Sequence, residues 1–83
     1  MPEDPEHRIK RLQMRSNRRG IKEMDLILGG FAQTQLEGRD DAWLQTYDAM
    51  LNENDHDLYQ WVTGKQAPPA QFDDVIGDIK AGL

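Results

Sequence analysis

The stretch Asp41-Ala42-Trp43-Leu44-Gln45-Thr46-Tyr47-Asp48-Ala49-Met50-Leu51-Asn52 decides the fold class. Trp43, Leu44, Tyr47, Met50 and Leu51 recur at three- and four-residue spacing, as one apolar face of an α-helix requires. These large side chains are expected to supply the main core. The same period recurs on either side. Ile21, Met24, Ile27, Leu28 and Phe31 form one such face, Leu58, Trp61 and Val62 a shorter one, and Phe72, Val75, Ile76 and Ile79 a last one. No alternation of period two persists for the length of a strand. The expected fold class is all-α, a small five-helix bundle.

Capping and breaking residues set the boundaries. Asp4 precedes Pro5, which suits the first position of a helix because its missing N–H is not needed there. That helix is expected to run to about Asn17, with Ile9, Leu12 and Ser16 inward and a basic face left exposed. Asn17 or Gly20 is expected to take the left-handed conformation that ends it. A second helix begins near Ile21 or Lys22 and continues to about Leu36, with a kink or break at Gly29-Gly30, since each glycine weakens a helix by about 1 kcal/mol. Gly38 and Asp40 mark the next stop and cap, and Asn54 or Asp55 starts the short fourth helix, which Gly64 ends. Gln66-Ala67-Pro68-Pro69 is an extended connection, followed by a helix from about Pro69 to Lys80. Residues 1–5 read as a flexible N-terminal tail and residues 6–83 as a single helical domain.

Charge is divided unevenly. From His7 to Lys22 there are seven basic residues and no acid, whereas Glu23 to Leu83 carries twelve acids against three bases, within a net charge of −5. There is no cysteine, which excludes disulfides and thiolate metal sites and suits a reducing compartment. No apolar run is long enough to span a membrane. The acidic start Met1-Pro2-Glu3-Asp4-Pro5 has no apolar segment, so neither a secretory signal nor a transit peptide is expected.

No catalytic constellation is legible. Neither His7 nor His56 has a second histidine or thiol at ligand spacing, and the adjacent helix residues Asp55-His56-Asp57 point in different directions, which argues against a metal cluster. The acids Asp40-Asp41, Asp55/Asp57 and Asp73-Asp74 fall at helix starts, where they complement the dipole and cap free N–H groups. The basic block Arg8 to Lys22 suggests a second reading, a nucleic-acid-binding regulator using the first helix. The acidic remainder and the lack of interleaved aromatics argue against it. A toxin-neutralising or anti-sigma-type interaction module is a third. The sharpest feature is Arg19-Gly20-Ile21-Lys22-Glu23. Gly20 admits close approach of another backbone, Arg19 offers a planar donor fork, and Glu23 lies in the first turn of the next helix. These residues suit either a docking surface or a helix corner closed by an internal Arg19–Glu23 pair.

Arg19-Gly20-Ile21-Lys22-Glu23 resembles the Arg-Gly-x-x-Glu signature of the succinate dehydrogenase flavinylation factors, the SdhE family of FAD assembly factors. Arg18 before it and Met24-Asp25-Leu26-Ile27-Leu28 after it look like the same family. Asp55-His56-Asp57-Leu58-Tyr59-Gln60-Trp61-Val62 is similar to its later Asp-x-Asp-Leu-x-x-Trp segment, so the resemblance runs from about Arg8 to Ile79. Gly29-Gly30 departs from it, since family members often carry a proline or bulkier residues there. The resemblance implies a non-enzymatic bacterial chaperone of the cytoplasm, monomeric when free. It would bind the flavoprotein subunit of succinate dehydrogenase, and of fumarate reductase as well, and promote covalent attachment of FAD. It implies a partner-binding surface of Arg18, Arg19, Gly20, Glu23 and Asp25, with neither nucleic acid nor membrane as partner. No cofactor of its own is implied, and direct contact with FAD stays open.

Overall fold

The computed structural model describes residues 3–83. Five α-helices follow one another: α1 (Pro5–Ser16), α2 (Lys22–Gln35), α3 (Asp41–Met50), α4 (Asp55–Val62) and α5 (Asp73–Ala81). A single 3-10 turn at Ala70–Phe72 precedes α5, and no strand occurs among the described residues.

Local chemistry explains most of the ends. Asp4 accepts from Glu6 N, Asp40 from Trp43 N and Asn54 from His56 N, each at 2.8 Å, so three helix starts have one of their free amides satisfied by a side chain. Gly38 and Gly64 have φ of 86° and 80°, the left-handed geometry that lets the chain leave a helix. Of the five tail residues, Met1 and Pro2 lie outside the described set. Glu3 pairs with Arg11, Asp4 is the cap, and Pro5 is already helical.

Two boundaries differ from the expectation. Pro69 is extended, with ψ of 147°, and Phe72 N donates to its carbonyl at 2.9 Å. The tighter turn brings Phe72 into the core before α5 begins at Asp73. Helix α2 runs unbroken through Gly29-Gly30. Gly29 faces the exit of α1, where an added Cβ would collide with Asn17 Oδ1, so the missing side chain admits a close approach of α1 and α2. Packing along the rest of α2 outweighs the propensity loss. Gly30 faces open space.

The core collects the inward face of every helix. Leu12, Met24, Leu28, Leu36, Tyr47, Met50, Leu58, Ile76 and Ile79 are all completely or almost completely buried. Phe31, Trp43 and Tyr47 form an aromatic stack, Trp43 and Tyr47 lying 5.3 Å apart between ring centroids. Arg39 lies 4.5 Å above the Trp43 ring, and the indole N–H donates to Asp78 at 2.7 Å. Ser16 is the one buried polar side chain of the core among the described residues. Its hydroxyl donates to Leu12 O at 2.7 Å, so the Tyr47 hydroxyl, 2.6 Å away, must donate to Ser16 Oγ. Burial pushes the Tyr47 phenol up to about 12, with the positive Arg19 working the other way.

Candidate functional site

The corner between α1 and α2 gathers the five residues singled out in the sequence. Asn17 is extended after α1, with φ −91° and ψ 167°, and it is Arg18, at φ 61°, that takes the left-handed conformation expected of Asn17 or Gly20. The reversal falls there because the next two amides turn toward carboxylates. Arg19 N donates to Asp25, in the first turn of α2, and Gly20 N donates to Asp55 Oδ2 at 2.7 Å. Helix α2 has no cap of its own from Ile21, so Asp25 ties its start to the incoming chain.

Asp55 takes both groups of the Arg19-Gly20 pair. Its Oδ2 accepts from Gly20 N, and its Oδ1 accepts from Arg19 Nε at 2.8 Å. The Arg19 guanidinium then reaches Arg15 O at 3.1 Å and Leu51 O at 3.0 Å. Side-chain exposure is only 11% for Arg19 and 16% for Asp55, so this is a largely buried, hydrogen-bonded ion pair. The Arg19–Glu23 pair is thus corrected to Arg19–Asp55, and Asp55 does more than complement the dipole of α4. A side chain at residue 20 would bring its Cβ to 3.2 Å from Asp55 Oδ2, which explains a glycine at a site without positive φ.

The exposed basic face expected on α1 is corrected in part: Lys10 stays exposed, whereas the arginines are paired. Arg8 pairs with Asp41, Arg11 and Arg15 both pair with Asp48, and Arg15 donates to Asn52 Oδ1 at 2.6 Å. These arginines lie three and four residues apart along α1, so one edge of the helix meets the acids of α3. The two guanidiniums, Arg11 foremost, hold the Asp48 carboxyl below the usual carboxylate range, although burial works against them. Arg11 also lowers Glu3, and its own pKa is raised in turn.

What stays outward is a different set. Arg18, Gly20, Lys22 and Glu23 are exposed, and Arg18, Lys22 and Glu23 have no ion-pair partner among the described residues. Leu26, one turn beyond Glu23, is 68% exposed. Arg19 and Asp25 are spent inside the corner that presents these groups. No group of three metal-ligating residues is assembled among the described residues.

Sequence reasoning missed Asp41, Asp48 and Asp55 as partners of the basic block. A signal was present: they recur every seven residues, and Asp41 and Asp48 share one face of α3 two turns apart. Helix-start position alone had assigned Asp41 and Asp55 to capping.

Comparison with known proteins adds the family. Residues 10–82 match the family described as Flavinator of succinate dehydrogenase, which spans the corner and both α3 and α4. Among relatives, the mitochondrial succinate dehydrogenase assembly factor 2 of Schizosaccharomyces japonicus is 42% identical over 75 residues, covering 88% of this chain and 52% of that protein. Its counterpart in Candida glabrata is 51% identical over 53 residues, covering 64% of this chain and 35% of the relative. That of Aspergillus flavus is 46% identical over 68 residues, with 82% and 22% covered. The chain thus spans about half, or less, of the length of these relatives. With a match over nearly all of its residues, the chain belongs to the flavinator of succinate dehydrogenase family.

Proposed function

We propose that this protein is a non-enzymatic assembly factor that binds the flavoprotein subunit of succinate dehydrogenase and promotes covalent attachment of FAD to it. The observation that carries this reading is the family match across residues 10–82, which includes the whole α1–α2 corner. The attachment chemistry belongs to the flavoprotein and its FAD, and this chain supplies a surface that holds the target in a reactive conformation. Arg18, Gly20 and Glu23 form the contact edge, while Arg19 and Asp25 support it from within. A glycine at the contact edge lets a partner backbone approach, and free charges of both signs beside it fix orientation.

The flavoprotein of fumarate reductase is a second client under the same reading, and the factor is monomeric when free. Nucleic acid is disfavoured because four of the seven bases of the block, Arg8, Arg11, Arg15 and Arg19, are already paired with acids. Among the described residues no helix is long and apolar enough to cross a membrane. The matched relatives are mitochondrial by name; for this chain the bacterial cytoplasm, the placement that the family resemblance implies, is part of the proposal, and cell fractionation checks it.

Deleting the gene and following covalent flavin on the succinate dehydrogenase flavoprotein, by in-gel fluorescence under ultraviolet light, tests the proposal. The expected result is loss of the fluorescent band with restoration by the intact gene. Full flavin incorporation in the deletion strain, with no second factor compensating, overturns it.

A further inference from the structure

We propose that Asp55 is the positioning residue of the docking corner, holding Arg19 and Gly20 so that Glu23 and Arg18 are presented to the partner. The inference rests on the docking role proposed above and adds a residue on another helix, 35 positions from Gly20, to the machinery. Asp55 is the first residue of α4, and its carboxylate is divided between two donors of the corner, Gly20 N at 2.7 Å and Arg19 Nε at 2.8 Å. A carboxylate used in this way fixes both a backbone amide and the guanidinium plane beside it, which a single hydrogen bond does not.

The geometry explains why one carboxylate is needed. Arg18 is held at φ 61°, a conformation unfavourable for a residue with a side chain, so the surroundings must over-determine the turn. Two acids do this: Asp25 takes Arg19 N from the side of α2, and Asp55 takes Gly20 N and Arg19 Nε from the side of α4. Asp25 belongs to the same helix as Glu23 and moves with it. Asp55 ties the corner to α4, which is anchored by the buried Leu58, Trp61 and Val62, while the Arg19 guanidinium on Leu51 O adds a tie to the end of α3. Without the Asp55 carboxylate the Gly20 amide loses its acceptor and the Arg19 guanidinium keeps only carbonyl partners, so the Arg18–Gly20 turn that leads into Glu23 loosens while the buried Met24 holds α2 itself. Asp55→Asn keeps one oxygen but turns an amide N–H₂ toward one of the two donors, so it satisfies at most half of the arrangement.

A double-mutant cycle on flavoprotein binding separates positioning from mere stabilisation. The chains compared are the wild type, Glu23→Ala, Asp55→Ala and the double variant, each with its melting curve recorded by circular dichroism to establish that it is folded at the assay temperature. If Asp55 acts through presentation of Glu23, Glu23→Ala weakens binding by about tenfold or more in the wild type and by no more than about threefold in the Asp55→Ala background. Asp55→Glu, which restores a carboxylate, recovers part of the loss. An undiminished effect of Glu23→Ala in both backgrounds overturns the inference. Hydrogen exchange on the free protein gives a readout independent of the client. Asp55→Ala should lose protection at Gly20 and its neighbours and keep it in α3 and α5, and unchanged protection at Gly20 overturns the inference. If the wild type binds no succinate dehydrogenase flavoprotein, the proposed function falls, and the exchange at Gly20 alone then decides the role of Asp55.

Discussion

Along the inner edge of α1 and its exit, Arg8, Arg11, Arg15 and Arg19 reach Asp41, Asp48 and Asp55. Around the outer edge of the same corner, Arg18, Lys22 and Glu23 have no ion-pair partner among the described residues. The arginines of both groups come from one short basic block, and Arg18 and Arg19 are adjacent. Their difference lies in what the tertiary fold brings opposite each side chain. The inner row meets acids of α3 and α4 in partly buried surroundings, where charge-assisted bonds replace water. The outer group remains solvated and keeps its hydrogen-bonding capacity for another molecule. A charge count therefore says nothing about which charges a protein has left to offer.

Separating stability from docking is the strongest way to break this comparison. Asp48→Ala removes the shared partner of Arg11 and Arg15 and should destabilise the fold by about 2 kcal/mol, roughly a 10 °C fall in melting temperature for a domain of this size. Client binding at a temperature where the variant is folded should be unchanged. Glu23→Ala should do the opposite, leaving the melting temperature within about 2–3 °C of wild type while flavoprotein capture is lost. If Glu23→Ala unfolds the chain, or folded Asp48→Ala loses its client, inner and outer edges are not distinct in use.

Acid titration sharpens the same point. The Asp48 pKa is lowered in the folded state, so the folded chain binds fewer protons there than the unfolded chain. Its contribution is present above the unfolded value, about 4, and is lost as pH falls through the folded value. Urea melts of the wild type should show stability falling as pH drops below about 4, and Asp48→Asn should flatten that slope.

Smaller effects come from the two glycines of α2, which face inward and outward in turn. Gly30→Ala meets open space and should stabilise by about 0.5–1 kcal/mol through helix propensity. Gly29→Ala should forfeit that gain, because Asn17 must swing away and give up its bond to Gln13 O, worth about 1 kcal/mol. Equal shifts in chemical denaturation would show that the close approach of α1 and α2 carries no energy. The smallest change expected is Arg18→Gly. It relieves the φ of 61° and is offset by added freedom in the unfolded chain, for a net gain of no more than about 1 kcal/mol. It also removes a free guanidinium from the outer edge, so stability and client binding should move in opposite directions.

Much of this molecule is local and was legible residue by residue. The apolar period of each helix, the caps at Asp4, Asp40 and Asn54, and the stops at Gly38 and Gly64 depend on neighbours within a turn or two. The motif Arg19-Gly20-Ile21-Lys22-Glu23 was visible for the same reason, being contiguous. Whether its arginine faces a partner or the interior was not visible, because Asp55 lies 36 residues from Arg19 and reaches it only once α4 has packed.

By itself, then, the amino-acid sequence determined an all-α chain with five helices, its core residues and the place of its corner, since periodicity and capping are short-range. Tertiary structure alone decided that Gly29 is a contact point in a continuous helix, that Arg18 bears the strained turn, and that four arginines of the basic block are paired with acids while Arg18 and Lys22 are not. The physical reason is common to all three. Each depends on which atoms from distant segments come within a few ångströms, and neither spacing nor composition encodes that distance.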